Sequence, residues 1–336
     1  MRIDPNTRAW RQRVKTAPRV AAVLMAVVVG AAACSASPRA TGSTTRKRTA
    51  TTTTSARASS TTTVPRAAPH IMVVMMENKN ASQVIGQSHE PYTNSLAATY
   101  GLATQSYAFG HPSLPNYLDI VSGSNQGVTD DNPPSSHDFP GAVTLADQLV
   151  DAGFSAKAYA EDLPTDPRVS VGEYAVRHVP WEYFPNAKIS VVDASSLPGD
   201  LDSAAAPDFV WYTPNLIDDE HDGTVEQGDA FLSRFVPEVQ STAWYRAGGV
   251  IILEWDESDD DNSGINGGSG GGHIPTIVIS AALKAHPQQD ATPVDTAGIL
   301  GSIEDAYGLG HLGNAGAATN GTIDSLLGVA PGSARS

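Results

Sequence analysis

Ser113 lies in the segment FGHPSLPNYLDIVSG, residues 109–123, between two prolines and ahead of a pattern of apolar residues. From Leu114 onwards the apolar residues recur at the spacing i, i+3, i+4, i+7, and Pro115 suits a first turn. A short helix is therefore predicted, with Ser113 at its amino-terminal end. Four unpaired N–H groups and the positive end of the helix dipole would face the serine oxygen. This arrangement stabilises an alkoxide and can also bind a phosphate. Serine is also among the commonest helix caps, so a structural role stays open.

Acidic side chains end two of the continuous apolar runs in the sequence. The run HIMVVMM is followed by Glu77 and Asn78, and the run VIILEW is followed by Asp256 and Glu257. A serine nucleophile is activated by a histidine base or by contact with a metal ion, and hard divalent cations prefer carboxylate oxygens. Together with His273, these residues therefore fit a metal site that would activate the serine.

Each of these candidates also has a structural alternative. Glu77 could cap the helix that follows it, and His273 could be an ordinary histidine of a Gly-rich loop. A carboxylate that closes a buried apolar strand is costly unless it is paired, which favours a metal ligand at Glu77. Neighbouring residues on a strand face opposite ways, so one of Asp256 and Glu257 is expected to ligate, with Asp256 the first choice.

Short apolar runs alternate with helical patterns along the chain after residue 69. The predicted strands lie at residues 70–78, 154–161, 208–215, 248–257 and 274–280. The predicted helices, besides the one that follows Ser113, lie at residues 142–153, 228–242 and 296–309. Continuous apolar runs are typical of strands buried on both faces, and their alternation with helices indicates a doubly wound α/β domain. We expect one domain over residues 69–330, a three-layer α/β/α sandwich with a mostly parallel central sheet. In such a sheet, polar side chains gather at the carboxyl ends of the strands.

The charge of the chain is divided unevenly. Residues 1–68 hold twelve of the 21 Lys and Arg residues and a single acid, whereas the rest holds nine basic and 35 acidic residues, a net charge of −26. Nucleic-acid binding draws on clusters of Lys and Arg, so an acidic body excludes that class of partner. An anionic substrate would have to be attracted by a local cation, and a bound metal ion is the usual one.

The amino-terminal segment predicts export. Residues 1–34 combine a basic start with the apolar stretch VAAVLMAVVVGAAA, and Cys34, the one cysteine of the chain, follows directly. This pattern predicts a signal peptide with a lipobox, hence a cell-surface lipoprotein, with simple secretion or a retained anchor as alternatives. Residues 35–68 are rich in Ser and Thr, have no apolar period, and predict a disordered basic linker.

Seven segments together resemble a known family. In chain order they are MMEN, HPSLPNYLDIVSG, AYAEDLP, YAVRHVPWEYF, TPNLIDDEHD, LEWDE followed by GGGHIPTIVIS, and SIEDAYGL. Their order is similar to that of the bacterial phosphoesterase family, which contains acid phosphatases and non-haemolytic phospholipases C and belongs to the alkaline phosphatase superfamily. The resemblance runs from about residue 70 to about residue 313 and implies an alkaline phosphatase-like fold.

The resemblance also implies roles for individual residues. Ser113 would be the nucleophile that becomes phosphorylated and also touches a divalent metal ion of unknown identity. The remaining metal ligands would be Glu77, Asn78, Asp256 and Glu257. Four residues would bind phosphate oxygens or assist the leaving group: His111, Asn116, His221 and His273. Of these, His221 and His273 would be catalytic. His178 lies in a shared motif, but nothing in the sequence predicts a role for it.

Two departures from the family narrow the function. Thr296 stands where many members have a histidine, and the long carboxy-terminal extension of the phospholipases C is not seen, which favours the compact acid phosphatases. The sequence therefore predicts a monomeric, metal-dependent phosphomonoesterase that acts on a small phosphate ester or a phospholipid such as a phosphoinositide. The alternatives are a phospholipase C that cleaves phosphodiesters and, from another class, a non-catalytic surface binding protein.

Overall fold

The computed structural model describes residues 69–329, so the predicted signal peptide, Cys34 and the linker lie outside the described residues. The described part of the chain contains one nine-stranded sheet. Its strands are β1 His70–Met76, β2 Gly101–Tyr107, β3 Ala156–Ala160, β4 Val191–Asp193, β5 Phe209–Thr213, β6 Gly249–Trp255, β7 His273–Ile279, β8 Gln288–Asp290 and β9 Val294–Asp295.

Most of these strands are parallel, in the order β4-β3-β5-β1-β6-β7-β2-β8, with β9 paired to β2. Strand β1 lies between β5 and β6 and is parallel to both. Strand β7 is antiparallel to its neighbours β6 and β2. Because β1, β5 and β6 run the same way, the residues that follow all three strands meet at one edge of the sheet.

Ten α-helices accompany the sheet within residues 69–329. They are α1 Ala81–Val84, α2 Pro91–Thr99, α3 Ser113–Ser122, α4 Leu145–Asp151, α5 Leu197–Leu201, α6 Val225–Gln240, α7 Ala243–Arg246, α8 Ala281–Ala285, α9 Thr296–Tyr307 and α10 Asp324–Leu327. Single 3₁₀ turns include Val176–His178 and Pro180–Tyr183. In this described range, none of the helices has the length and apolar character that crossing a membrane requires.

Both faces of the sheet are covered. Successive side chains of a strand point to opposite faces, yet every residue from Ile71 to Met76 is at most 1% exposed. Helix α3 packs with α9 and α4, whereas α2 packs with α6. These observations and the neighbours described below confirm the predicted α/β fold with a mostly parallel central sheet.

The predicted elements are found. Most are shorter than predicted, whereas β7 begins one residue earlier, at His273, and α6 begins three residues earlier, at Val225. The five predicted strands correspond to β1, β3, β5, β6 and β7, and the predicted helices to α3, α4, α6 and α9. The sequence analysis missed β2, β4, β8 and β9. Strand β2 includes Thr104, Gln105 and Ser106, so it lacks a continuous apolar run, and the other three have only two or three residues.

A buried acid lies at the start of α2, near the segments that follow β1 and β5. Glu90 is 0% exposed, and neither of its carboxyl oxygens has a hydrogen-bond partner. The neighbouring Thr93 hydroxyl donates to Asp229 instead, at 2.9 Å. Burial raises the pKa of Glu90 to about 8. The acid is therefore neutral in the folded protein at a pH where it is ionised in the unfolded chain.

Replacing Glu90 by Gln should make the protein more stable at alkaline pH. A carboxyl group whose pKa is raised on folding contributes stability that is present below its unfolded pKa of about 4.3 and lost as the pH rises toward its folded pKa. Melting temperatures of the wild type and Glu90→Gln should therefore be similar near pH 4 and differ by several degrees near pH 9, in favour of the variant. A constant difference across this range would contradict the buried, neutral acid.

Candidate functional site

Hydrogen bonds tie the end of β1 to the end of β6 and to the loop after β5. The N–H of Glu77 donates to the Asp219 carbonyl at 2.8 Å, and the N–H of Asp256 donates to the Met76 carbonyl at 3.0 Å. Asn78 has a φ of 51°, a left-handed conformation that Asn tolerates. Its N–H donates to Asp256 Oδ1 at 3.1 Å. The chain turns here so that Glu77 and Asp256, both almost fully buried, lie on the same edge.

Ser113 is the first residue of α3, and the cap position is occupied by Pro112. The serine is 2% exposed, and its Oγ lies 3.3 Å from Glu77 Oε2 and 3.1 Å from Glu257 Oε1. The hydroxyl makes no capping bond to the helix backbone. The structural alternative of a plain helix cap is therefore wrong, because the hydroxyl points at two carboxylates instead.

The helix end offers fewer free N–H groups than the sequence analysis expected. The N–H of Leu114 donates to Asp131 Oδ1 at 2.9 Å, and Pro115 has none. The Ser113 oxygen is thus surrounded mainly by acidic side chains, and the positive charge that it needs as a nucleophile must come from another source.

His178, for which the sequence predicted no role, lies at the centre of the site. It belongs to a 3₁₀ turn and is 1% exposed. Its Nδ1 lies 3.2 Å from Asp219 Oδ2, and its Nε2 lies 3.4 Å from Glu77 Oε1. The Tyr117 ring stacks on the imidazole, with centroids 5.3 Å apart, and the Tyr117 hydroxyl donates to Glu77. The sequence analysis did not identify Tyr117 and Asp219 as site residues either. A tyrosine at an apolar position of a helix, or one acid within a run of acids, cannot be told apart from its neighbours by sequence pattern alone.

His221 lies beside His178, with ring centroids 5.5 Å apart. Its Nε2 faces Arg177 Nη2 at 2.9 Å, and its Nδ1 faces Asp222 Oδ1 at 2.7 Å. Arginine can only donate, so Nε2 accepts and Nδ1–H donates to Asp222. The arginine and the aspartate therefore fix the orientation of the His221 ring.

The loop after β5 that carries Asp219 and His221 is fixed by a buried acid. Glu220 is 0% exposed and has a φ of 82°. Its Oε2 accepts a hydrogen bond from Trp255 Nε1 at 3.0 Å. A side chain at Gly228 would collide with the Glu220 carboxylate, so helix α6 needs a glycine at this position to let the loop pack. Packing of Glu220 thus sets the direction in which the next residue, His221, points.

His111 connects the nucleophile loop to Glu257. Its Nε2 lies 3.0 Å from the Asp261 carbonyl, so this nitrogen carries a proton. Its Nδ1 lies 2.5 Å from Glu257 Oε2, so the two side chains are hydrogen-bonded. The predicted site residues Glu77, Asn78, Ser113, Asp256, Glu257, His111 and His221 are thus brought together.

Two predicted site residues have other contacts. Asn116 is 0% exposed; its Oδ1 accepts from the Gly110 N–H at 3.0 Å, and its Nδ2 donates to the carbonyls of Gly110 and Pro112 at 2.8 and 3.2 Å. With all of its hydrogen-bonding atoms engaged, Asn116 holds the loop that presents Ser113. His273 begins β7 and its Nε2 lies 3.1 Å from the Thr104 carbonyl. Neither residue contacts the carboxylates around the serine in this structure.

Thr296 also supports the nucleophile loop. It is 1% exposed, and its Oγ1 accepts a hydrogen bond from the Phe109 N–H at 3.2 Å. The threonine is therefore a backbone support for the segment that leads to Ser113.

The site is acidic and short of positive charge. Burial, with Asp256 and Asp219 nearby, raises the pKa of Glu77 well above its ordinary value. Burial also raises the pKa of Asp256 and of Asp219 to about 7, and burial with Asp256 nearby raises that of Glu257 to about 9. Burial lowers the pKa of His178 well below its ordinary value, so the imidazole is neutral. Its Nε2 then presents a lone pair to the Glu77 carboxylate.

These donors fit a divalent cation. Three atoms in the site are buried without a hydrogen-bond partner: Asn78 Oδ1, His178 Nε2 and Asp256 Oδ2. Buried polar atoms are normally paired, so unpaired lone pairs beside acids indicate a place for a cation. The ligand atoms of Glu77, His178 and His221 all lie within 4.8 Å of one another. Glu77 is thus common to this group and to the predicted set of Asn78, Ser113, Asp256 and Glu257.

Divalent ions should stabilise the protein more at pH 8 than at pH 5. The raised pKa values mean that protons on Asp219, Asp256 and Glu257 relieve the repulsion at low pH and are lost as the pH rises through about 7 to 9. An ion that replaces those protons has less competition at pH 8. We expect the melting temperature of the metal-stripped protein to rise by about 5–10 °C at pH 8 with ion at a hundredfold excess over its Kd, and by less at pH 5.

The matched control for that measurement is Glu77→Gln, which removes the carboxylate common to both ligand groups. In this variant the increase at pH 8 should be largely lost for Mg²⁺, Mn²⁺, Ca²⁺ and Zn²⁺ alike. Equal increases at the two pH values, or none with any of these ions in the wild type, would argue against a cation among these carboxylates.

Solved structures share this fold at low sequence identity. A protein of the alkaline phosphatase superfamily from Vibrio parahaemolyticus superposes with a TM-score of 0.54 at 13% identity, over 72% of this chain and 67% of that one. The lipoteichoic acid synthase LtaP from Listeria monocytogenes superposes with a TM-score of 0.56 at 8% identity, over 76% of each chain. The alkaline phosphatase-like architecture is confirmed by these neighbours.

Curated relatives are named as phosphatases. A phosphatidylinositol-3-phosphatase from Mycobacterium tuberculosis is 32% identical over 73% of this chain and 79% of its own length. An acid phosphatase from Aspergillus fumigatus is 25% identical over 65% of this chain, which spans 51% of the fungal protein. These names agree with the expected enzyme class, a phosphoric monoester hydrolase.

The family predicted from seven short segments is confirmed by a comparison of the whole domain. The profile of the Phosphoesterase family matches residues 86–310, well over half of the chain, and includes Ser113, His178 and Asp256. This chain belongs to the Phosphoesterase family.

Proposed function

We propose that the protein is a metal-dependent phosphomonoesterase in which Ser113 attacks phosphorus and is transiently phosphorylated. One observation carries the proposal: the hydroxyl of a serine at the first position of α3 lies between two buried carboxylates, at 3.3 Å from Glu77 and 3.1 Å from Glu257. A serine with only a structural role would satisfy its hydroxyl on the helix backbone, which this one does not.

The residues around Ser113 have distinct parts in such a reaction. A divalent ion held by Glu77, Asn78, Asp256 and Glu257 would supply the positive charge that stabilises the attacking oxygen and the phosphoryl oxygens. The Ser113 hydroxyl gives its proton to Glu257, which is hydrogen-bonded to His111. Phosphoryl transfer otherwise depends on positioning, and the Asn116 bonds to Gly110 and Pro112 fix the loop that aims the serine.

The two half-reactions balance. In the first, the Ser113 oxygen forms a bond to phosphorus, the bond to the alcohol oxygen breaks, and the departing alcohol takes a proton. In the second, water attacks the phosphoserine, the Ser113 oxygen leaves and regains a proton, and inorganic phosphate is released. His221, oriented by Arg177 and Asp222, is close enough to the cluster to pass a proton to the alcohol or from the water.

The relatives support a monoester rather than a diester as substrate. Of the curated relatives, one is a phosphatidylinositol-3-phosphatase and others are acid phosphatases. We therefore extend the proposal to a phosphate monoester on a polyol, with a phosphoinositide as the lipid example.

Ser113→Ala should lower hydrolysis of p-nitrophenyl phosphate by at least about a thousandfold, because the nucleophile is lost. The wild type should hydrolyse this monoester in a chelator-sensitive way, faster than bis-p-nitrophenyl phosphate or phosphatidylcholine. Initial rates with and without chelator, together with melting temperatures, would test this. The matched control is Ser122→Ala at the other end of the same helix, where the hydroxyl donates to the Leu118 carbonyl and turnover should persist.

The outcomes separate the alternatives. Faster cleavage of the diester or of phosphatidylcholine would identify a phosphodiesterase of the phospholipase C kind. A Ser113→Ala variant with substantial monoesterase activity would remove Ser113 from the nucleophile role. A folded, ion-bound wild type without turnover on any of the three compounds would leave only a binding function.

We further propose that the protein is exported and anchored by a lipid on Cys34, on the pattern of residues 1–34. Full-length protein expressed in a bacterial host should sediment with membranes, and Cys34→Ser should move it to the soluble fraction, because the acyl chains supply the anchoring energy. Ser35→Ala is the control for a change next to the cysteine. Membrane partition that is equal for the wild type and Cys34→Ser would exclude lipidation as the anchor.

A further inference from the structure

A cavity of about 650 Å³ lies beside the site, and nothing in the reaction described above uses it. Its wall includes two arginines, Arg168 and Arg177, two acids, Asp131 and Asp166, and the apolar side chains of Val169 and Val176. A volume of this size is typical of pockets that hold a small-molecule ligand, about 300–1,000 Å³.

The cavity is contiguous with the nucleophile. Asp131, in its wall, accepts the hydrogen bond from the N–H of Leu114, the residue after Ser113, at 2.9 Å. Arg177, also in its wall, contacts His221 at 2.9 Å and lies 3.9 Å from Asp131. The alcohol part of a phosphate monoester bound at Ser113 would therefore lie next to this cavity.

The charge of the wall differs from that of the rest of the domain. Residues 69–329 contain only four arginines, and two of them, Arg168 and Arg177, line this one cavity. The chain after residue 68 has a net charge of −26, so two arginines in one cavity next to the nucleophile form a local exception. The planar guanidinium group matches the geometry of a phosphate group and binds it with two parallel hydrogen bonds.

Arg168 is the more exposed of the two arginines. Its side chain is 37% exposed, pairs with Asp138, itself 49% exposed, at 2.9 Å, and donates to the Pro134 carbonyl at 3.4 Å. An exposed ion pair contributes little to stability, so a phosphate can displace the aspartate at little cost. Arg177 is only 22% exposed and is already held by His221 and Asp131. Arg177 therefore orients the wall, and Arg168 is left to meet the ligand.

We propose that this cavity binds the alcohol part of the substrate and that Arg168 binds a second phosphate group on that alcohol. The substrate class is then a polyol that carries two phosphates, one cleaved at Ser113 and one held by Arg168. This inference rests on the proposed phosphomonoesterase function. The second phosphate can be the free phosphate of a soluble polyol or the phosphodiester of a lipid headgroup, since the chemistry that Arg168 recognises is the same.

The test compares substrates that differ only in the second phosphate. The ratio of kcat/KM for inositol 1,3-bisphosphate to that for inositol 3-phosphate should be about ten or more in the wild type and fall about tenfold in Arg168→Gln. Arg246→Gln removes an arginine of α7 that donates to the Ser241 carbonyl, and it should keep the wild-type ratio. Asp138→Asn releases Arg168 from its present partner, so this variant should lower KM for the bisphosphate.

The results separate this inference from the proposed function. If the wild type hydrolyses neither inositol phosphate nor p-nitrophenyl phosphate, the proposed function fails. If it hydrolyses p-nitrophenyl phosphate but shows no preference for the bisphosphate, or if the preference survives in Arg168→Gln, the second-phosphate site is overturned. If Arg168→Gln fails to fold, Asp138→Asn still tests the inference. An unchanged KM for the bisphosphate in Asp138→Asn would overturn the second-phosphate site.

Vesicles identify the source of the second phosphate. The wild type and Arg168→Gln would be assayed on phosphatidylcholine vesicles that contain phosphatidylinositol 3-phosphate. If Arg168→Gln lowers the rate of hydrolysis more on vesicles than on the soluble bisphosphate, the second phosphate is the lipid phosphodiester. If it lowers the rate more on the soluble bisphosphate, the second phosphate is a free phosphate. Equal rates of the two proteins on both substrates contradict the inference.

Discussion

Repulsion among four buried carboxylates is the constraint on which the rest of this structure depends. Glu77, Asp219, Asp256 and Glu257 are each at most 6% exposed and lie around one point at the carboxyl edge of the sheet. At an effective dielectric constant of 20, two unit charges 4 Å apart repel by about 4 kcal/mol. The four groups cannot all be ionised without a counter-charge, so protons or a cation must be present. The pKa values of these four acids are all raised, mainly by burial, and neighbouring acids add to the increase for Glu77, Asp256 and Glu257.

The sheet supplies the rigidity that holds these groups together. Strand β1 is fully buried and pairs with β5 and β6 on either side, so Glu77 cannot move away from the residues that follow those strands. Tyr117 and His178 close the site from α3 and from a 3₁₀ turn, with their rings stacked. Aromatic faces exclude water and lower the local dielectric, which strengthens both the repulsion between the acids and their attraction to a cation. The burial by Tyr117 and His178 therefore lowers the stability of the folded protein when no positive charge is present and raises the affinity of the site for a cation.

Some of the site could be predicted from the sequence because it follows regular elements. Glu77 and Asp256 end apolar strands, and Ser113 begins a helix with a clear period, so their positions follow from the direction of the chain. His178 and Asp219 come from irregular segments whose path is set by tertiary packing, such as that of Glu220 on Trp255 and Gly228. Spacing along the chain carries no information about such a path. Asn116 shows the opposite case: the family resemblance implies that it binds phosphate, whereas in the structure its amide points back at the loop that it supports.

An acidic enzyme that acts on an anionic ester must attract its substrate through local rather than total charge. The Debye length at physiological ionic strength is about 8 Å, so most of the net charge of −26 on the chain after residue 68 is screened from a bound phosphate. Within that distance a phosphate would meet the guanidinium groups of the adjoining wall and the cation that we propose among the carboxylates. Arg177 connects the two, since it contacts His221 on one side and lies near Asp131 on the other. Because Asp131 also holds the N–H of the residue after Ser113, a shift of this arginine is transmitted to the nucleophile as well as to the cavity. The shape of the leaving group can thus influence the position of the Ser113 hydroxyl. In this way, binding energy from a part of the substrate remote from the phosphorus can contribute to the rate.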